Sequence, residues 1–337
     1  MSRQIKAIEW DADKIVLLDQ TLLPGVEKYL EIRTIAELVG AIQRLVVRGA
    51  PALGVAGAFG VVIALDEAKT GNWSDGQLDK AIDSLKDARP TAVNLAWGVN
   101  QVRPLIGLGR DAVVQAALKL ADEDRDANFA MGSIGADWLL RELGDRPLNL
   151  LTHCNTGSLA TTGSGTALGV IKELHNRQRV KEVFVDETRP LMQGSRLTAW
   201  ELEIEGIPYR IAPDSAAATA ILSGKVDAAL IGADRIALNG DSANKIGSLG
   251  VALACSIAKI PFLVVAPEST VDRSILNGDS ISIEMRPDHE ITRFAGKQIA
   301  PAGARTFNPA FDVTPAKFIS AVITEKKAYE IAKGEVL

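Results

Sequence analysis

Between Ile5 and Thr34 apolar and polar residues alternate in short runs, clearest in Lys14-Ile15-Val16-Leu17-Leu18, and the pattern is broken by Pro24-Gly25. Period-two alternation bounded by turn residues predicts a small antiparallel sheet. From Ile35 to Leu143 apolar positions recur every three or four residues instead: in Ile35 to Val39, the run after Pro51, Gln77 to Ala88, Ala92 to Ile106 and Asp111 to Leu143. That spacing marks one face of a helix, so this stretch is expected to be mainly helical. After Gly144-Asp145-Arg146-Pro147, apolar runs at Leu148 to His153, Val183 to Asp186, Tyr209 to Ala212, Ala228 to Ile231 and Phe262 to Ala266 read as strands. Helical patterns lie between them, near Gly165 to Asn176, Gln193 to Glu205, Ser215 to Ser223 and Ser248 to Lys259. The alternation predicts an α/β fold with a Rossmann-like parallel sheet covered on both faces. The expected division is a smaller, mainly helical N-terminal domain over 1–145 that begins with a short antiparallel sheet, and a Rossmann-like domain over 146–337.

Composition narrows the class. A chain of 337 residues, 47% hydrophobic and 23% charged, has room for about two domains with buried cores and is neither disordered nor a coiled coil. The 42 acidic and 37 basic residues leave a net charge of -5, which gives no electrostatic reason to expect nucleic acid or an anionic membrane, although a local basic pocket remains compatible with it. The longest uncharged run, Gly49 to Leu65, has 17 residues rich in Gly and Ala. It falls short of the roughly 20 apolar residues of a membrane span, and a buried core helix is expected. No apolar h-region follows Met1, so the cytoplasm is the expected location. Two cysteines and three histidines are too few for a zinc cluster or a disulfide framework, and neither a metal nor a cofactor is expected.

In open parallel sheets ligands bind beyond the carboxyl ends of the strands. Cys154 follows Leu148-Asn149-Leu150-Leu151-Thr152 and precedes a polar loop, a position suited to proton transfer or nucleophilic work. The competing reading is a small buried hydrophobe, the commoner fate of a cysteine, and Cys255 within Ala252 to Ala258 fits it. Asp234 closes the strand at Ala228 to Ile231, where desolvation favours a neutral carboxyl able to exchange protons near neutral pH. A turn or cap role, or an ion pair with Arg235, competes equally. The glycines and hydroxyls of Gly157 to Thr166 suit a phosphate cradle. A dinucleotide fingerprint fails there, because Leu168 occupies the third glycine's place and the glycine pair does not directly follow the strand. Arg48-Gly49-Ala50-Pro51, Arg89-Pro90-Thr91 and Asn244-Lys245-Ile246-Gly247 each place a cation beside turn residues, ready for a phosphate oxygen, although most such cations are only solvated. His153 and His175 have no third ligand at metal spacing and read as structural.

Taken in order, Arg48-Gly49-Ala50-Pro51-Ala52, Arg89-Pro90-Thr91-Ala92-Val93-Asn94-Leu95, Thr152-His153-Cys154-Asn155-Thr156-Gly157, Asp186-Glu187-Thr188-Arg189-Pro190, Ile231-Gly232-Ala233-Asp234-Arg235-Ile236 and Asn244-Lys245-Ile246-Gly247 resemble the motifs of the methylthioribose-1-phosphate isomerase family of methionine salvage. The wider family includes ribose-1,5-bisphosphate isomerases and regulatory subunits of a translation initiation factor's guanine-nucleotide exchanger. The resemblance implies that Cys154 and Asp234 are catalytic and that Arg48, Gly49, Ala50, Arg89, Gln193, Asn244 and Lys245 bind a sugar phosphate. It also implies a homodimer. Ser164 departs from the pattern, standing where relatives carry an aromatic residue.

The implied reaction turns the aldose ester 5-methylthioribose 1-phosphate into the ketose 5-methylthioribulose 1-phosphate. The alternatives are a related substrate, ribose 1,5-bisphosphate or 5-deoxyribose 1-phosphate, or a non-catalytic regulatory subunit. Because the anomeric oxygen carries the phosphate, the ring cannot open through a free hydroxyl and a proton donor is needed at the ring oxygen. Hydrogen then moves from C2 to C1 either as a proton carried by Cys154 or as a hydride, and the residues do not choose between these routes.

Overall fold

The computed structural model describes residues 5–89 and 93–337. The N-terminal strands β1 (Ile8–Asp11), β2 (Lys14–Leu18) and β3 (Tyr29–Ile32) form the expected antiparallel sheet. Ile15 and Leu17 of β2 turn inward onto a helical block, as period-two alternation requires. That block comprises α1 (Ile35–Gln43), α2 (Ala50–Gly71), α3 (Asp75–Lys86), α4 (Val93–Val102) and α5 (Arg110–Leu143). Helix α1 starts on a capping box, in which Thr34 accepts from the Glu37 amide while Glu37 reaches back to the Thr34 amide.

Helix α2 is the centre of the first core. Its 22 residues are long and apolar enough to cross a bilayer, yet Ala52 to Ala64 are buried within the protein, with α4 and α5 packed on the helix. Small residues permit that close packing: a Cβ on Gly98 of α4 would fall 1.9 Å from the Gly54 carbonyl oxygen of α2. Helix α5 serves two cores, burying Val113 and Ala117 with α2 and Met131, Ala136 and Leu139 with the second sheet.

The second sheet contains β4 (Leu148–Thr152), β5 (Val180–Asp186), β6 (Tyr209–Ala212), β7 (Ala228–Ile231), β10 (Phe262–Val265), β15 (Ala321–Ile323) and β16 (Ala328–Tyr329). Its order is β16-β15-β10-β7-β4-β5-β6, and all neighbours are parallel except β15 and β16. Helices α6 (Ala167–Asn176), α7 (Ala199–Glu205), α8 (Ala217–Leu222) and α9 (Ser248–Ala258) connect the strands. Leu148 and Leu150 of β4 join the core shared with α5 and α6, and Leu151 joins the opposite one with Val251 and Cys255. Burial on both faces explains why these strands read as unbroken apolar runs. Burial pushes the Cys255 thiol up to about 12, in keeping with a packing role.

Two features depart from expectation. The helix predicted from Gln193 begins instead with a π-turn at Gly194–Thr198 and becomes α-helical only at Ala199. The cause is close approach, since a Cβ on Gly194 would lie 1.6 Å from the Asp186 carbonyl oxygen. A four-stranded sheet also appears beyond the main one, from β8 (Arg235–Ala237), β9 (Ser242–Lys245), β11 (Val271–Asp272) and β14 (Phe311–Thr314), in the order β11-β8-β9-β14. A short exposed hairpin, β12 (Arg293–Phe294) and β13 (Lys297–Gln298), follows the one-turn helix α10 (His289–Thr292).

Candidate active site

The chain leaves β4 toward β5 and β6 on one side, then returns to place β7, β10 and β15 on the other. The strand order therefore reverses between β4 and β7, and a crevice opens above that point. Cys154 lies two residues past β4, and Asp234 three residues past β7. Both face one cavity of about 770 Å³, partly open to solvent. Arg48, Gly49, Ala50, Arg89, Gln193, Asn244 and Lys245 line the same cavity. All nine residues singled out from the sequence are thus brought together, although Pro90, Thr91 and Ala92 of the Arg89 motif lie outside the described residues.

Cys154 is buried and held in the left-handed region at φ 65°, a conformation that costs about 1–3 kcal/mol for a residue with a side chain and is kept only when neighbours fix it. They do so here. Its amide donates to Thr188 Oγ1 at 2.9 Å and its carbonyl accepts from Thr198 Oγ1 at 2.6 Å. Arg48 Nη1 stands 4.0 Å from the thiol sulfur.

Asp234 is fixed by its amide, which donates to the Ala243 carbonyl at 2.9 Å as β8 folds back on β9. That hairpin sets Asn244 and Lys245 beside it, so these two are strand residues and not the turn residues expected. Burial pushes the Asp234 carboxyl above the usual carboxylate range, against the downward pull of Lys245, Arg89 and Arg48. The surroundings are therefore enclosed and cationic, not simply apolar as the sequence suggested. Arg235 does not neutralise Asp234; it forms an ion pair with Asp272 at 2.5 Å.

Burial lowers the Lys245 ammonium and the Arg89 guanidinium, against the upward pull of Asp234 on both and of Glu284 on Arg89. Lys245 Nζ donates to the Ala310 carbonyl at 3.0 Å and sits 4.8 Å over the Phe311 ring. Gly49 and Ala50 add the N-terminus of α2, whose amides and dipole favour an anion, while Pro51 at the second helical position offers no N–H. Only glycine fits at position 49, because φ is 92° and a Cβ would meet Ala160 at 2.6 Å. Gln193 turns a buried Oε1 that has no hydrogen-bond partner among the described residues, an acceptor left available for a hydroxyl.

The segment Gly157 to Thr166, expected to cradle a phosphate, has few unpaired amides. Its amides are largely occupied: Ser158 and Leu159 donate to Glu201, Thr162 to Asp124, Gly163 to Thr161, Gly165 to Asn128 and Thr166 to Thr156. Gly163 and Ser164 face a different cavity, whereas Ala160, Thr161 and Thr166 line this one. The uncapped N-terminus of α2 and the cations Arg48, Arg89 and Lys245 face the same cavity.

Among the described residues, His153, Asp186 and Asp214 bring metal-ligating atoms within 4.8 Å of one another. Most of their ligating atoms are engaged by the protein, although Asp186 Oδ1 has no hydrogen-bond partner among the described residues. Asp214 accepts from the Thr188 and Arg189 amides at 2.7 and 2.6 Å, and His153 Nε2 bonds the Ile246 carbonyl at 2.8 Å. A carbonyl only accepts, so Nε2 carries a proton and the other nitrogen shares one with Asp186 at 3.0 Å. The set fits a hydrogen-bonded brace better than a cation site. Arg286, Leu191, Pro267 and Phe311 also line the cavity and were not singled out from the sequence. Their segments carry no periodic pattern aimed at the crevice, and an Arg-Pro pair at Arg286-Pro287 was the one available signal.

The model of the initiation factor 2 subunit family matches residues 46–329. A probable bifunctional methylthioribose-1-phosphate isomerase/methylthioribulose-1-phosphate dehydratase of Nocardia farcinica is 50% identical over 95% of this chain, which spans only 58% of that longer protein. A methylthioribose-1-phosphate isomerase of Marinobacter nauticus is 46% identical over 96% of this chain and 92% of its own length. Among solved structures, 5-methylthioribose 1-phosphate isomerase from Pyrococcus horikoshii superposes with a TM-score of 0.87 at 38% identity, covering 98% of this chain and 93% of that one. The structure described as translation initiation factor eIF-2B, subunit delta, from A. fulgidus gives 0.84 at 39% identity, over 97% and 96%. Matched by the family model over most of its length and by near-full-length isomerase relatives, the chain belongs to the initiation factor 2 subunit family, in its methylthioribose-1-phosphate isomerase group.

Proposed function

We propose that the protein converts 5-methylthioribose 1-phosphate into 5-methylthioribulose 1-phosphate, an aldose to ketose isomerisation in methionine salvage. The observation that carries this reading is the pairing of Cys154 and Asp234 across the β4/β7 crevice with Arg48, Arg89, Lys245 and the α2 N-terminus on the same cavity. A regulatory subunit has no use for that pairing. In the reaction, the cations and the helix N-terminus hold the phosphate. Asp234, whose protonated form burial favours, donates to the ring oxygen as the ring C–O bond breaks, and the resulting carboxylate then takes the proton of the C2 hydroxyl. Cys154 acts at the C1–C2 hydrogen transfer.

A second phosphate, as in ribose 1,5-bisphosphate, would need a further uncommitted cation. On the cavity wall Arg286 is taken up by Glu284 at 2.7 Å and by Glu290, and Arg89 lies 3.8 Å from the same Glu284, so the cations there already share their acidic partners. An apolar 5-substituent is the preference this reading expects. In a side-by-side assay, methylthioribose 1-phosphate is expected to turn over, 5-deoxyribose 1-phosphate to fall behind by about 10- to 200-fold, and ribose 1,5-bisphosphate to be the poorest of the three. Turnover of none of them overturns the isomerase reading, and a preference for the bisphosphate moves it to that substrate.

The same reading makes the protein a cytoplasmic homodimer. Exposed Leu253 and Ile257, one turn apart on α9, and Leu222 on the neighbouring α8 supply apolar surface for a second copy. Light scattering is expected to give about twice the 35.8 kDa chain mass; a monomer mass rules the dimer out, and recovery of the protein in a membrane fraction rules out the location.

A further inference from the structure

We propose that Glu201 is a positioning residue for this isomerisation, acting through Asn155 to hold the Arg48 guanidinium beside the Cys154 thiol. The inference rests on the isomerase reading for its kinetic readout. Glu201 is on α7 and fully buried, and of its hydrogen-bond partners among the described residues only Asn155 lines the cavity. Its carboxylate gathers four donors: Asn155 Nδ2 at 2.8 Å and the Leu159 amide at 3.2 Å on one oxygen, the Ser158 amide at 2.7 Å and the Lys172 ammonium at 3.1 Å on the other. Lys172 supplies the counter-charge that a carboxylate so deep in the protein requires.

Asn155 stands between two groups of opposite character. Glu201 is an acceptor, and the Arg48 guanidinium is only a donor. The amide of Asn155 therefore has one satisfiable orientation. Its nitrogen faces Glu201 and Thr198 Oγ1, the latter at 3.2 Å, and its oxygen accepts from Arg48 Nη2. The same Nη2 donates to the Asn155 carbonyl at 2.9 Å, Nε donates to Gln20 Oε1 at 3.2 Å, and Nη1 is left facing the Cys154 sulfur. Turning the amide over would set its NH2 group against the guanidinium and release one of the bonds that aim it. Glu201 prevents the flip without touching Arg48.

The test is a double-mutant cycle on kcat/KM for methylthioribose 1-phosphate, using Glu201→Gln, Arg48→Ala and the pair. Glu201→Gln is expected to lower kcat/KM by about ten- to a hundredfold, the factor one charge-assisted hydrogen bond is worth, mostly through KM. In the Arg48→Ala background the same change is expected to matter by less than about twofold, because the guanidinium it positions is gone. A purely structural role gives equal losses in both backgrounds, and that result overturns the proposal. Should the lone substitution fail to fold because Lys172 loses its buried partner and keeps only Glu205 at 3.3 Å, Lys172→Met with Glu201→Gln removes both charges, and Asn155→Ala breaks the middle link; each must show the same coupling to Arg48. Wild-type protein inactive on the substrate would defeat the isomerase reading instead, whereas an active wild type with additive variants defeats the relay alone.

Discussion

Asp234→Asn is expected to lower kcat by about 10²- to 10⁴-fold in a protein that remains folded, the range lost when a positioned acid or base is removed. Asparagine keeps the volume and a hydrogen-bonding edge but transfers no proton, so the comparison isolates proton transfer from packing. The pH dependence has a definite sign. Burial, outweighing Lys245, Arg89 and Arg48, raises this carboxyl above its ordinary value. As the donor to the ring oxygen it must be protonated in the free enzyme. The acid limb of kcat/KM should therefore be flat with respect to this group, and activity should fall as pH rises through the raised value. The stability linkage runs the same way. A carboxyl whose folded pKa is raised binds its proton more tightly in the native state, so stability is lost as pH rises past the unfolded value and levels off above the folded one. Asn does not titrate and escapes that loss. The variant should accordingly melt no lower than wild type at neutral pH, and a melting scan beside the rate measurement separates lost chemistry from lost structure. A kcat within about threefold of wild type would remove Asp234 from the proton path.

Cys154→Ala is expected to cost about 10²-fold or more in kcat. Alanine leaves the backbone brace to Thr188 and Thr198 in place, since both bonds are made by main-chain atoms of residue 154. It also leaves Arg48 held by Asn155 and Gln20. What disappears is the sulfur facing the cavity, so KM should change far less than kcat. Product formed in deuterium oxide then distinguishes the two hydrogen-transfer routes. Deuterium at C1 shows a thiol that exchanges with solvent; none at C1, together with residual transfer in Cys154→Ala, shows hydride moving from C2 to C1 with the thiol tuning the site. A variant turning over at the wild-type rate would return Cys154 to the small buried hydrophobe it resembles in isolation.

The strands of the main sheet were legible because they are buried on both faces. Leu148 to Thr152, Ala228 to Ile231 and Phe262 to Val265 are nearly continuous apolar runs, and burial of consecutive side chains on opposite faces is what such runs require. The short strands β8, β9 and β14 carry Ser242, Asn244, Asp312 and Thr314 and escaped notice, since their pairing is stabilised by polar contacts of the hairpin and not by an apolar stripe. The opening of α7 was misread for a related reason. The π-turn at Gly194 answers to the Asp186 carbonyl, which is close in space and eight residues away in sequence.

At the site, local chemistry offered Cys154 and Asp234 as candidates because each follows an apolar strand in a polar loop, with packing and cap roles competing, and the resemblance of the ordered motifs implied their roles. Local chemistry was incomplete at Gly157 to Thr166, whose glycines and hydroxyls suit a phosphate, because the partners that occupy several of its amides, Asp124, Asn128 and Glu201, come from other elements. Residue types and spacing, acting through short-range sterics and periodic burial, are enough to specify the α/β alternation and the strand ends. Which cation faces which carboxylate, that Arg235 pairs with Asp272 and leaves Asp234 available, and that Glu201 reaches Arg48 through Asn155 depend on contacts spanning 37 to 107 positions along the chain. Those contacts exist only once strand order brings β4 beside β7 and the α2 N-terminus over both, because electrostatics and hydrogen bonding act through a few ångströms of space and carry no trace in local sequence.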